Sequence, residues 1–195
     1  MANNNSIEVF RGGWKEVENL VLTDNEAPLS SGIPESFFIK PDGMEIFVIE
    51  SGTDTVETYP LSRPYDITTI GALGNTFVIT DDALPKGLFF KDDGTKMFVV
   101  GQSTELLLEY ALPIPYDVSS IVASPVSLDI SSIIFSPNQI AFTRDGDFVF
   151  VTDGVLVYSI ALPTPWDVTS GSVLPHPFFN PTGSPESVAI KPEGD

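Results

Sequence analysis

One pattern recurs along the chain at intervals close to 50 residues, and no other feature restricts the fold as strongly. Pro34, Pro85, Pro137 and Pro185 each open a copy, at spacings of 51, 52 and 48 residues. The first copy reads PESFFIKPDGMEIFVIESGTDTVETYPLSRPYDITTI and the second PKGLFFKDDGTKMFVVGQSTELLLEYALPIPYDVSSI. The third, PNQIAFTRDGDFVFVTDGVLVYSIALPTPWDVTS, is shorter between its second and third strands, and a fourth begins as PESVAIKPEGD. Self-similarity at this period marks a tandem array of one supersecondary unit.

Each unit reads as four strands. Strand A (Phe37 to Lys40, Leu88 to Lys91, Ile140 to Arg144, Val188 to Lys191) runs into a turn at Asp42-Gly43, Asp93-Gly94, Asp145-Gly146 or Glu193-Gly194. An acidic residue followed by glycine between apolar runs predicts a hairpin, because glycine accepts positive φ without strain. Strand B follows at Ile46 to Ile49, Met97 to Val100 and Phe148 to Val151, and strand C at Val56 to Leu61, Leu106 to Leu112 and Val155 to Leu162. A connector carrying Pro-Tyr-Asp or Pro-Trp-Asp leads to strand D near Thr76 to Thr80, Val126 to Ile130 and Pro177 to Asn180. Strand B is apolar on both faces, so every small sheet must be covered on both sides. Four-stranded antiparallel sheets stacked face to face at a 50-residue period predict an all-β fold, a β-propeller of about four blades with an incomplete last blade. A β-sandwich accounts for short strands and turns, but not for a period that keeps turn and aromatic in register.

The expected division is a half blade over 1–33, whole blades over 34–84, 85–136 and 137–184, and the first strand of another over 185–195. Ser6 to Phe10 aligns with strand C, Trp14 with the connector aromatics, and Leu20 to Thr23 with strand D. Closure of the termini into a shared blade, a ring built from several chains and a piece of a larger propeller are the three expected ways to complete the ring.

The strand A and B consensus, an aromatic or Ile shortly before Asp-Gly and then Met-Phe-Val or Phe-Val-Phe-Val, resembles the YVTN-type bacterial propeller repeats. With the Pro-Tyr/Trp-Asp connector it is also similar to repeats of marine bacterial and bacteriophage proteins, tail-associated ones among them. That resemblance implies the propeller fold and covers nearly the whole chain. Trp166-Asp167 is not the WD40 mark, since it lies in the C to D connector without Gly-His upstream.

Composition narrows the function. A net charge of -18 removes the electrostatic drive toward nucleic acid or anionic lipid. No apolar run approaches a membrane helix, so no membrane insertion is expected. The polar start, residues 1–6, is not a secretory signal, so synthesis in the cytoplasm is expected. The absence of cysteine excludes thiolate chemistry and cysteine zinc sites. His176, the only histidine, is bracketed by prolines with no serine motif beside it.

Three sets of residues stand out. The connector pairs Tyr65 and Asp66, Tyr116 and Asp117, Trp166 and Asp167 would suit a sugar ring as stacking platform plus hydroxyl acceptor; their recurrence in every blade favours the alternative, in which the aromatic packs between blades while Asp caps the next turn. The acidic turns, Asp81 with Asp82, Asp92 with Asp93 and Asp145 with Asp147, would offer oxygen ligands to calcium or serve as hairpin turn residues. Glu35, Lys86, Asn138 and Glu186, just after each repeat proline, are equivalent positions that a hydrolase would aim at a central channel. The sum predicts a non-catalytic recognition or structural module without cofactor other than possible calcium. It would bind a protein or glycan partner and act on a virion or extracellular surface, as a homo-oligomer or within a larger particle. The alternatives are a metal-dependent propeller lactonase and a fragment of a larger surface propeller.

Overall fold

The computed structural model describes residues 32–173. Three four-stranded antiparallel sheets follow one another along the chain. Blade I contains β1 (Pro34–Ile39), β2 (Glu45–Glu50), β3 (Thr55–Pro60) and β4 (Thr76–Val78). Blade II contains β5 (Pro85–Phe90), β6 (Lys96–Gly101), β7 (Leu106–Ala111) and β8 (Val126–Asp129). Blade III contains β9 (Gln139–Phe142), β10 (Phe148–Thr152), β11 (Val157–Ala161) and β12 (Ser172–Val173). Each blade is a meander in sequence order, and the first strands β1, β5 and β9 lie side by side. This is propeller architecture, with the sheets forming an open array among the described residues.

Strand A starts at the repeat proline in blades I and II, earlier than the apolar pattern alone predicts. Pro34 pairs with Glu50 and Pro85 with Gly101, and a register shift follows each proline. The bulge absorbs the missing proline donor. Strand D of blade III lies at Ser172–Val173. The segment Pro177 to Asn180, the half blade over 1–33 apart from its last two residues, and the final strand at 185–195 lie outside the described residues.

Alternate residues of each strand face opposite neighbours. Phe47 and Ile49 of blade I meet Phe90, Met97 and Val99 of blade II, all buried. Phe98 and Val100 of blade II meet Phe142, Val149 and Val151 of blade III. Both interfaces centre on phenylalanine, with Phe47 and Phe90 ring centroids 4.4 Å apart and Phe98 and Phe142 at 4.2 Å. They differ in polar content. Between blades II and III the buried Glu109 carboxylate accepts from Lys96 Nζ at 2.5 Å and from the Val168 N–H at 3.0 Å, and Lys96 also donates to the Trp166 carbonyl at 2.7 Å. Between blades I and II one polar link is a bond from Asn75 Nδ2 to Asp117 Oδ1 at 3.1 Å, and a second joins Lys86 to Glu35 at the other end.

Candidate functional site

Antiparallel meanders place the A–B turns and C–D connectors at one end of every blade, and the B–C and D–A loops at the other. The connector end is occupied by groups that satisfy one another. Gly43, Gly94 and Gly146 adopt φ of 72°, 73° and 78°, and the connector aromatics Tyr65, Tyr116 and Trp166 adopt 56°, 61° and 62°. Each aromatic lies across the turn glycine of its own blade, where any Cβ would strike the ring. Its N–H donates to that glycine's carbonyl, at 2.8 Å for Tyr65, 3.0 Å for Tyr116 and 3.1 Å for Trp166. The Tyr65 hydroxyl donates to the Pro41 carbonyl and the Tyr116 hydroxyl to that of Asp92, the latter at 2.6 Å. Tyr116 then packs on Phe47 and Phe90, and Trp166 on Phe98 and Phe142, wedging between adjacent blades. Asp66, Asp117 and Asp167 cap the short 3₁₀ turns behind them, accepting from the N–H groups of Thr68, Ser119 and Thr169. The connector pairs thus build the blades.

The acidic turns divide between the two ends. Asp92, Asp93, Asp145 and Asp147 belong to the connector end. Burial works against ionisation of Asp93, but bonds from Lys91 and Thr95 prevail and pull its carboxyl down to about 2. Asp145 accepts from the Asp147 N–H at 3.3 Å. Asp81 and Asp82 lie at the opposite end. The buried Asp82 accepts from the N–H groups of Leu84 and Thr104 at 2.7 and 2.8 Å, and Asp81 accepts from the Tyr110 hydroxyl at 3.2 Å. These six acids do not converge. Among the described residues no three His, Cys, Asp or Glu side chains are grouped to hold a metal ion.

The loop end carries a polar cluster on the inner strands. Lys86 Nζ meets Glu35 Oε1 at 2.6 Å across blades I and II, with both side chains mostly but not fully enclosed. Ser51 Oγ donates to the same carboxylate oxygen at 2.7 Å. Gln139 of blade III donates to the Glu35 carbonyl and accepts from Ser36 Oγ, each at 3.0 Å. On the strand between lies Gly87, where a Cβ would press on Val100 Cγ1 at 2.9 Å and on the Gln139 Cα at 3.0 Å. Glycine is required here for close approach of β9. Beside this pair lies Glu50, fully buried, with neither carboxylate oxygen bonded among the described residues. Burial foremost, then the charges of Glu57 and Glu35, push its carboxyl up to about 7.

A carboxyl that titrates near neutrality beside a carboxylate–ammonium pair is suited to proton transfer and to polarising a carbonyl. It also sets a pH dependence. The folded protein holds the Glu50 proton more tightly than the unfolded chain, so stability is full below the ordinary value of 4.5 and falls until pH reaches about 7. Glu50→Gln should remove this slope and raise stability at pH 8 by about 2 kcal/mol. Urea titrations at pH 5 and pH 8 check it, and an unchanged slope in the variant contradicts the assignment.

Of the positions after each repeat proline, the structure joins Glu35 and Lys86, Asn138 donates its N–H to the Thr152 carbonyl at 2.7 Å, and Glu186 lies outside the described residues, as does His176. Ser36, Gln139, Ser51 and Glu50 were not singled out from the sequence. The available signal was Glu50 itself, a carboxylate in register with Gly101 of blade II.

No protein-family model matches the chain, and the comparison with curated proteins finds no match. Solved structures do resemble it. A putative 6-phosphogluconolactonase from Bacteroides uniformis superposes with a TM-score of 0.54 at 16% identity, over 84% of this chain and 46% of that one. A putative 6-phosphogluconolactonase from Bacteroides fragilis gives 0.52 at 10% identity, over 79% and 40%. Kuenenia stuttgartiensis hydrazine synthase gives 0.54 at 14% identity, over 93% and 44%. The chain therefore spans less than half the length of these neighbours, and at such identity the likeness establishes the fold. Against the expectation of a non-catalytic virion module that is not an enzyme, two of these neighbours carry lactonase names and the third is hydrazine synthase, so the enzymatic alternative is the one these structures favour over a virion module. The tail-associated resemblance finds no counterpart among these neighbours.

Proposed function

We propose that these blades form part of a propeller hydrolase acting on lactones, with its reaction centre at the loop end of the inner strands. The observation that carries this reading is the Glu35–Lys86 pair at 2.6 Å, joining two blades beside the protonatable Glu50. The lactonase names of the neighbouring structures support it. Hydrolysis needs water to add to the ring carbonyl, a base for the water proton and a donor for the departing ring oxygen. Glu35 takes the proton and returns it as the ring C–O bond breaks, while the Lys86 ammonium faces the oxyanion. Glu50, buried beside them, biases the pair through its charge. The YVTN-like blade consensus is compatible with this chemistry, since blade sequence sets the fold and loop-end residues set the reaction.

The 195-residue chain should accelerate opening of γ- and δ-lactones, followed by proton release with the spontaneous rate subtracted. Glu35→Gln and Lys86→Met should each lower kcat/KM by about 100-fold or more while the far-ultraviolet spectrum stays that of the parent. A wild-type chain that adds nothing to the spontaneous rate refutes the proposal.

A further inference from the structure

We infer that the substrate taken at the loop end is an uncharged, hydroxyl-bearing lactone and that a phosphorylated lactone is rejected. This rests on the hydrolase reading above and deepens it. Lys86 is the cation of the cluster, and Glu35 already neutralises it at 2.6 Å. The remaining groups are the Glu50 carboxyl, the buried Glu57, the Ser36 and Ser51 hydroxyls and the Gln139 amide. Glu57 accepts from the Tyr59 hydroxyl at 2.6 Å. With Glu35 on the one ammonium and the Glu50 carboxyl beside them, the site has no positive charge to spare, and a phosphate dianion entering it would find no free cation to receive it.

The other described cations are committed elsewhere. Lys40 pairs with Asp42, Arg63 with Asp66, Lys91 with Asp93 and Lys96 with Glu109, all in the turns, connectors and blade edges of the far end. Arg144 occupies the A–B turn of blade III, at that same end. No second cation reaches the cluster among the described residues. The net charge of -18 adds a long-range field of the phosphate's own sign.

What the cluster offers instead is hydrogen bonding. Both oxygens of the buried Glu50 lack partners among the described residues. A buried acceptor without a donor is costly, and a substrate hydroxyl reaching it would supply one. The serine hydroxyls and the Gln139 amide are likewise suited to a neutral polyol.

The test uses the full chain with glucono-δ-lactone and its 6-phosphate as paired substrates, at low and high salt. We expect kcat/KM to favour the neutral lactone by at least about tenfold at low salt, and the gap to narrow as salt screens the repulsion. Equal rates, or preference for the phosphate ester, overturn the inference while leaving the hydrolase reading standing. A neutral preference indifferent to salt also overturns it, because discrimination would then be steric. If neither ester is opened faster than in buffer, the hydrolase reading fails and the inference with it.

Discussion

Gly94→Val should cost about 3 kcal/mol or more of folding stability, the largest loss we expect from a single exposed-turn substitution. Two independent penalties meet at this position. At φ of 73° a β-branched residue is strained, at an expected cost of about 1–3 kcal/mol. Any Cβ there also falls well inside 3.0 Å of the Tyr116 ring, which lies against the glycine. Tyr116 cannot simply swing away, because its hydroxyl is held by the Asp92 carbonyl at 2.6 Å and its ring packs on Phe47 and Phe90. Overpacking a constrained site adds about 1–3 kcal/mol. Urea unfolding of Gly94→Val, Tyr116→Ala and the double variant separates the two terms. The steric part should disappear in the Tyr116→Ala background while the backbone part remains, and a Gly94→Val chain as stable as its parent refutes the packing described here.

Glu109→Ala is expected to cost about 2–3 kcal/mol and to act at the junction of blades II and III. Glu109 accepts from both Lys96 Nζ and the Val168 N–H, and removing it leaves the half-buried ammonium with only the Trp166 carbonyl and takes the acceptor from a backbone donor. Glu109→Gln keeps an acceptor for Val168 but loses the charge opposite Lys96, so it should cost about half as much. Equal losses for the two variants would mean that volume, not the bond pair, is what matters. Blade I carries Thr58 in register with Glu109, so Thr58→Ala should be far milder.

Much of this was legible in the residues. The period located the blades, and Asp-Gly located the A–B hairpins because only a glycine sits comfortably at the φ observed there. The connector aromatics were recognisable as repeated, and repetition in every blade favours packing over binding; the ring against the turn glycine is the packing that the pattern implies. Strand A was read three residues short in blades I and II because proline hides a pairing position that a bulge restores. Glu50 escaped notice because it terminates an apolar run, and no linear pattern reveals whether a carboxylate there finds a donor. Glu109 and Lys96 were invisible as a pair, thirteen residues apart on adjacent strands, since their third partner, Val168, comes from the next blade. Function was the poorest reading, because blade composition reports on assembly while chemistry depends on a few side chains converging from different blades.

Repeat arrays are commonly treated as chains of links in which each unit feels only its immediate neighbours. The bonds from Ser36 and Glu35 of blade I to Gln139 of blade III break that description, since they skip the blade between. Gly87, on the strand between, leaves the room that Gln139 needs to come close. The energy of the array therefore needs a term between blades I and III besides those between neighbours, and displacing the strand of blade II would disturb it. The inner rim thus acts as a latch across three blades, and blades I to III are expected to melt together instead of peeling off one at a time.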